Sequence, residues 1–163
     1  MLCIIPWLGI DSLKIIPMKQ ILLMMSVAMG IATIGKAQCN QSVELTSTKT
    51  NVLSASNQSQ GTRNENVIID ITPTTVTVKP NGNADDALIG KIKEVQCDWK
   101  VPFKEGKTVI KTDLVDPSGD TKDATITIEG KNGKITLLAE AKERPDQKMQ
   151  FEINKFELKA ATK

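Results

Sequence analysis

From Val67 onward the chain is written in short runs rich in Val, Ile and Thr, with apolar residues two apart and turn residues between the runs. Side chains of an extended strand point alternately to opposite faces, so this spacing describes half-buried β-strands, whereas a helix needs apolar residues three and four apart. The runs fall at approximately 67–71, 74–79, 89–103, 107–115, 123–130, 133–141 and 148–158, and none has helical spacing.

The sharpest local instruction is "ATITIEGKNGKITLLAEA". Asn132-Gly133 suits a two-residue type I′ turn because both residues tolerate positive φ. Such a turn fixes the register: Lys131 faces Lys134, Ile128 faces Leu137, and Ile126 faces Ala139, so that Ile126, Ile128, Leu137 and Ala139 share the buried face. In "VQCDWKVPF" nine residues alternate, which predicts Val95, Cys97, Trp99, Val101 and Phe103 on a core face opposite wet Gln96, Asp98 and Lys100. Pro102 donates no ladder hydrogen bond, so that strand is bulged, at an edge or finished there. A turn over 103–107 follows. In the last run Met149, Phe151 and Ile153 fall out of step with Phe156 and Leu158, which predicts a bulge at Asn154-Lys155.

Residues 67–160 therefore read as one all-β domain with a modest core. The expected fold is an antiparallel meander of about seven to eight strands forming a small barrel, the alternative being a two-sheet β-sandwich. Upstream, residues 38–66 read as a polar tail or linker, since 17 of the 27 residues from Asn40 to Asn66 are Ser, Thr, Asn or Gln. Val43, Leu45, Val52 and Leu53 support at most one short strand near 43–50.

The opening of the chain reads as an address label. Between Lys19 and Lys36 lie sixteen uncharged residues (20–35), which as a helix extend roughly 24 Å. That is short of the ~30 Å hydrocarbon core of a membrane. A basic start, an apolar run and Gly35-Lys36-Ala37 match a secretory signal peptide over 18–37, cleaved after Ala37. Residues 1–17, broken by Pro6, Pro17, Asp11 and Lys14, read as an upstream extension with translation starting at Met18. Cleavage implies export, to the periplasm or beyond the cell, with no stable membrane span remaining.

Processing removes Cys3 and leaves Cys39 and Cys97, an even count that reads as one disulfide in an exported chain. The alternative is a buried Cys97 thiol and a Cys39 on the tail. Processing also takes three of 21 basic and one of 19 acidic residues, leaving 18 of each. A formally neutral chain with no clustered basic face is not built for nucleic acid.

The chain contains no His and no Tyr. Ser-His-Asp and Cys-His catalysis are impossible without histidine, and the acidic residues fall in turns or on wet strand faces, so an enzyme is not expected and no catalytic or cofactor-binding residue is assigned. The densest acidic stretch, "TDLVDPSGDTKD", lacks the spacing of a calcium loop. Asp116-Pro117-Ser118-Gly119 has a complete explanation as a β-turn, and no metal site is assigned. Trp99, Phe103 and Phe151 are the candidates for lining a pocket or the core.

At "CDWKVPFKEGKT" and "ATITIEGKNGKITLLAE" the chain resembles small exported bacterial proteins of lipocalin-like type, across about residues 67–158. The resemblance implies an up-and-down barrel with ligand binding. A Gly-x-Trp at the start of the barrel has no counterpart here, Trp99 lying mid-domain, so no binding residue carries over. The expected function is a non-catalytic exported binding or envelope-associated module with an envelope or extracellular partner. The alternative is a carrier of a small apolar ligand.

Overall fold

The computed structural model describes residues 38–159. The expected leader over 18–37 and the extension over 1–17 lie outside the described residues. Nine strands follow one 3₁₀ turn at Gln38–Asn40: β1 (Ser42–Ser54), β2 (Ser59–Arg63), β3 (Val67–Ile71), β4 (Thr75–Lys79), β5 (Leu88–Val101), β6 (Glu105–Val115), β7 (Thr121–Lys131), β8 (Lys134–Ala141) and β9 (Gln147–Lys159). A second 3₁₀ turn, Pro80–Gly82, opens the β4–β5 connection.

All pairings are antiparallel, and after β3 each strand pairs with the next in sequence. The sheet closes because β1 also pairs with β9 along its whole length, from Ser42 opposite Lys159 to Ser54 opposite Gln147. The result is a closed eight-stranded barrel plus one extra strand, β2, which excludes the sandwich alternative.

Strand β1 corrects the reading of residues 38–66 as a tail or linker. It is 13 residues long and touches three partners. Its first half pairs with β3 (Val43 opposite Ile71, Ser47 opposite Val67) and its second half with β2 (Thr50 opposite Arg63, Val52 opposite Gly61). Sequentially β2 and β3 form one interrupted arm beside β1. Composition concealed this because the inward positions include Ser47 and Thr50, both fully buried, between Val43 and Leu45 on one side and Val52 on the other. Small hydroxyl residues fit a half-buried pleat as well as they fit a solvated loop.

The Asn132-Gly133 hairpin forms in the expected register, with φ of 52° and 75° at its two turn residues. The slip in β9 is also present. Thr46 faces Lys155 while Ser47 faces Ile153, leaving Asn154 as the extra residue. Its Oδ1 accepts hydrogen bonds from the backbone N–H and the hydroxyl of Thr48, each 2.9 Å long, which ties the irregular stretch together.

Strand β5 departs from simple alternation. Register shifts lie between Ile92 and Glu94 and between Trp99 and Val101. Val101 is consequently exposed (42 %) instead of sitting in the core. Val95 is also exposed, because β4 pairs with β5 only as far as Lys91 and nothing continues the sheet on that edge. Leu158, at the end of β9, is exposed as well.

Candidate functional site

The two ends of the barrel differ in how they are filled. One end carries the start of β1, the end of β9 and the β5–β6 and β7–β8 turns. Here Trp99, opposite Gly106 on β6, shares a level with Gly130 on β7. A Cβ on Gly130 would stand 2.6 Å from the indole ring, so glycine is what lets the tryptophan lie against the wall. The indole Nε1–H donates to the Thr108 hydroxyl at 2.7 Å, which satisfies the polar edge of a ring that is only 9 % exposed. Phe103 turns back from the β5–β6 connection with φ of 51°; its ring centroid is 5.4 Å from that of Trp99 and 4.3 Å from that of Phe156. Three aromatic rings thus plug this end.

The same end is tied by the bond between Cys39 and Cys97, whose Cα atoms are 6.0 Å apart. It spans 58 residues, and in the chain-entropy account a closure of that length contributes on the order of 4 kcal/mol at most. Cys97 sits on the stretch of β5 beyond the reach of β4, so the bond fastens the 3₁₀ turn before β1 across a gap in the wall. The cysteine pair expected from sequence is therefore the one formed. Trp99 and Phe103, candidates for lining a pocket or the core, belong to the packed core at this end.

Phe151, the third aromatic candidate, lines a cavity at the opposite end. That cavity holds about 260 Å³ and is walled by Val67, Ile69, Val78, Leu114, Leu137 and Met149, among others, with Arg63 and Glu65 at its edge. A second lobe of about 280 Å³ shares Leu88, Leu114, Ala139 and Met149 with the first and reaches Lys122, Glu140, Arg144 and Gln147. The walls are apolar because most of the side chains that border the space are aliphatic, with Met149 and Phe151 contributed by β9. The cavity opens because β2 replaces β3 here and, among the described residues, has no strand on its far side. Sequence alternation identified many of these residues as inward-facing; which of them border empty space depended on the interrupted β2–β3 arm.

A larger furrow, about 550 Å³, lies where β8 and β9 diverge, lined by Lys134, Thr136, Gln150, Glu152 and Asn154. Ile135, Ile153 and Phe156 also line it, but its mixed, solvent-open lining is less suited to enclosing an apolar ligand than the cavity is. The Glu152 carboxylate within the furrow is held below its usual range by the Asn51 amide and by Lys49.

The acidic stretch behaves as the turn it spells. Gly119 N–H donates to the Asp116 carbonyl at 2.9 Å, and Asp116 Oδ1 accepts from Ser118 N, Ser118 Oγ and Asp120 N at 3.0, 2.6 and 3.0 Å. The Ser118 hydroxyl, with Asp120 N–H and Lys122, lowers the Asp116 pKa to about 2. A carboxylate so engaged is a turn-forming group. Among the described residues no three His, Cys, Asp or Glu side chains are grouped to hold a metal ion, and no helix is long and apolar enough to cross a membrane.

No family model, no curated protein and no solved structure matches this chain.

Proposed function

We propose that this protein is a non-catalytic exported barrel that binds a small apolar molecule in the cavity at its open end. The observation that carries the reading is the contrast between that lining and its surroundings. Aliphatic side chains and Phe151 surround the space, and charged groups occur only at its edge. Ligand sites have this character, and pockets for drug-sized molecules span roughly 300–1,000 Å³; a main lobe of about 260 Å³ therefore suits a small ligand. The Cys39–Cys97 bond supports maturation in an oxidising compartment, periplasmic or extracellular. The absence of histidine and tyrosine supports a binding role over a catalytic one.

Titration of the purified protein with the neutral apolar dye N-phenyl-1-naphthylamine tests the reading. Saturable fluorescence enhancement that decanol displaces is expected. A linear, non-saturating response overturns it.

A second reading, attachment to an envelope partner, is favoured by one feature. Ile89 and Val115 face each other on the outer wall and are 54 % and 39 % exposed. Retention in an envelope fraction that Ile89→Ser and Val115→Ser together abolish would support it.

A further inference from the structure

Of the 21 basic residues in the chain only two, Arg63 and Arg144, are arginines. They are 81 positions apart in sequence, yet both stand at the edge of the apolar cavity, one on each lobe. We propose that Arg63 on the main lobe, or Arg144 on the adjoining one, holds the oxyanion head of a linear amphiphile whose apolar chain occupies the cavity, an inference that rests on the apolar-ligand reading above and specifies its ligand class.

Four observations converge on it. First, directly opposed residues of antiparallel strands share a face. Arg63 faces Thr50, and Thr50 faces the buried Phe151, so Arg63 lies on the inward side of the sheet at the level where the cavity opens. Second, neither guanidinium is in an ion pair among the described residues; Arg144 Nη1 donates only to the neutral Gln147 Oε1, at 3.3 Å. Third, two other rim charges are already compensated. Lys122 pairs with Asp116 at 3.3 Å, and Glu140 with Lys148 at 3.0 Å. Glu65 is the remaining acid at the edge, set against two arginines. Fourth, Thr50, the residue directly across from Arg63, is fully buried, and its hydroxyl has no hydrogen-bond partner among the described residues.

The choice of arginine has a physical consequence. A guanidinium offers a planar fork of donors that matches a carboxylate or phosphate in two-point contact, which an ammonium cannot do. An apolar pocket with such groups only at its edge orients a ligand with head outward and chain inward. At roughly 30 Å³ per water-sized group, the main lobe of about 260 Å³ accommodates a chain of on the order of nine carbons. Decanoate and decyl phosphate present the two forms of the head, and decanol is the neutral control.

Calorimetric titration of the purified protein with these three compounds at low salt decides the matter. Decanoate, decyl phosphate or both should bind about tenfold tighter than decanol, the gain expected of one charge-assisted contact. The tighter of the two identifies the head. Raising salt to about 0.5 M should shrink that advantage. Arg63→Gln and Arg144→Gln together should remove most of it while leaving decanol affinity in place, Arg144→Lys should retain part of it, and Glu65→Gln should increase it. Equal binding of all three compounds, or equal losses for decanol and the anions in the arginine variants, overturns the oxyanion head and leaves the apolar-ligand reading intact. Failure of all three to bind overturns both.

Discussion

At the end of the barrel where β1 begins, Trp99, Phe103 and Phe156 fill the interior and the Cys39–Cys97 bond straps the wall. At the other end Leu88, Leu114 and Met149 border unfilled space beside a strand with a free edge. The same strands build both ends, so neither sheet composition nor strand length explains the difference. Two things do. The described aromatic residues other than Phe151 are all at one end, and the β2–β3 interruption removes a wall segment only at the other. Aromatic packing and unfilled space therefore lie at opposite ends of one core, whose Ile69, Ile126, Leu137 and Phe151 wall the hollow part. A well-packed interior resists change in volume, whereas a cavity accepts added atoms.

Substitutions can break that separation or sharpen it. The largest effect belongs to Ile128→Asp, which puts a carboxylate at a site that is 6 % exposed in the plugged half. It should cost on the order of 4 kcal/mol or more in urea unfolding, while Thr127→Asp, one residue along and outward, should cost less than about 1 kcal/mol. Equal losses would mean the β7 register is wrong.

Removing the disulfide with Cys39→Ser and Cys97→Ser should lower stability by about 2–4 kcal/mol, with dye binding at the open end retained under conditions where the variant remains folded. Dye affinity that falls in the folded variant would show the two ends to be coupled.

A matched pair of small-to-large changes comes next. Gly130→Ala, at the plug, drives a methyl into the Trp99 ring and should cost about 1–3 kcal/mol. Ala139→Phe, on the wall shared by the two cavity lobes, should change stability by less than about 1 kcal/mol, yet weaken dye binding severely. Thermal unfolding and the dye titration read the two separately, and the reverse ranking would relocate the empty space.

The smallest effect is expected at Asp116, in a turn outside both regions. Its folded pKa, about 2, lies below the ordinary 3.8. The ionised carboxylate therefore contributes stability that is present above about pH 4 and is lost as pH falls through about 2. Asp116→Ala should be mildly destabilising near neutrality and converge on the parent protein in acid unfolding curves. A difference that stays constant down to pH 2 would exclude ionisation as its source.

Local signals were legible where a turn pinned them. Asn132-Gly133 admits one hairpin geometry, so Ile128 opposite Leu137 follows from sequence alone, and the misstep in β9 spelled its own bulge at Asn154. The segment from Ser42 to Arg63 was not legible in the same way. Ser47 and Thr50 are buried by neighbours far along the chain, Val67 and Arg63 on one side and Ile153 and Phe151 on the other, and nothing in their own composition records this. Strand β5 misled for a related reason. Alternation places Val95 and Val101 inward, but β4 stops short of Val95 and leaves it uncovered, while the register shift after Trp99 leaves Val101 exposed. Of the candidate site residues, Phe151 reached the cavity while Trp99 and Phe103 went to the plug, a division set by their height on the barrel.

By itself the sequence determined the strand periodicity, the hairpin turns, the exclusion of histidine chemistry and the pair of cysteines available for bonding, since each depends on residue type or on neighbours a few positions away. Tertiary structure alone decided that β1 would close the barrel against β9, that one end would be plugged and the other hollow, and that Arg63 and Arg144 would each border a lobe of the hollow end. Those outcomes depend on which distant strands stand side by side and how far each extends, because burial is conferred by contact between segments and not carried by any one of them.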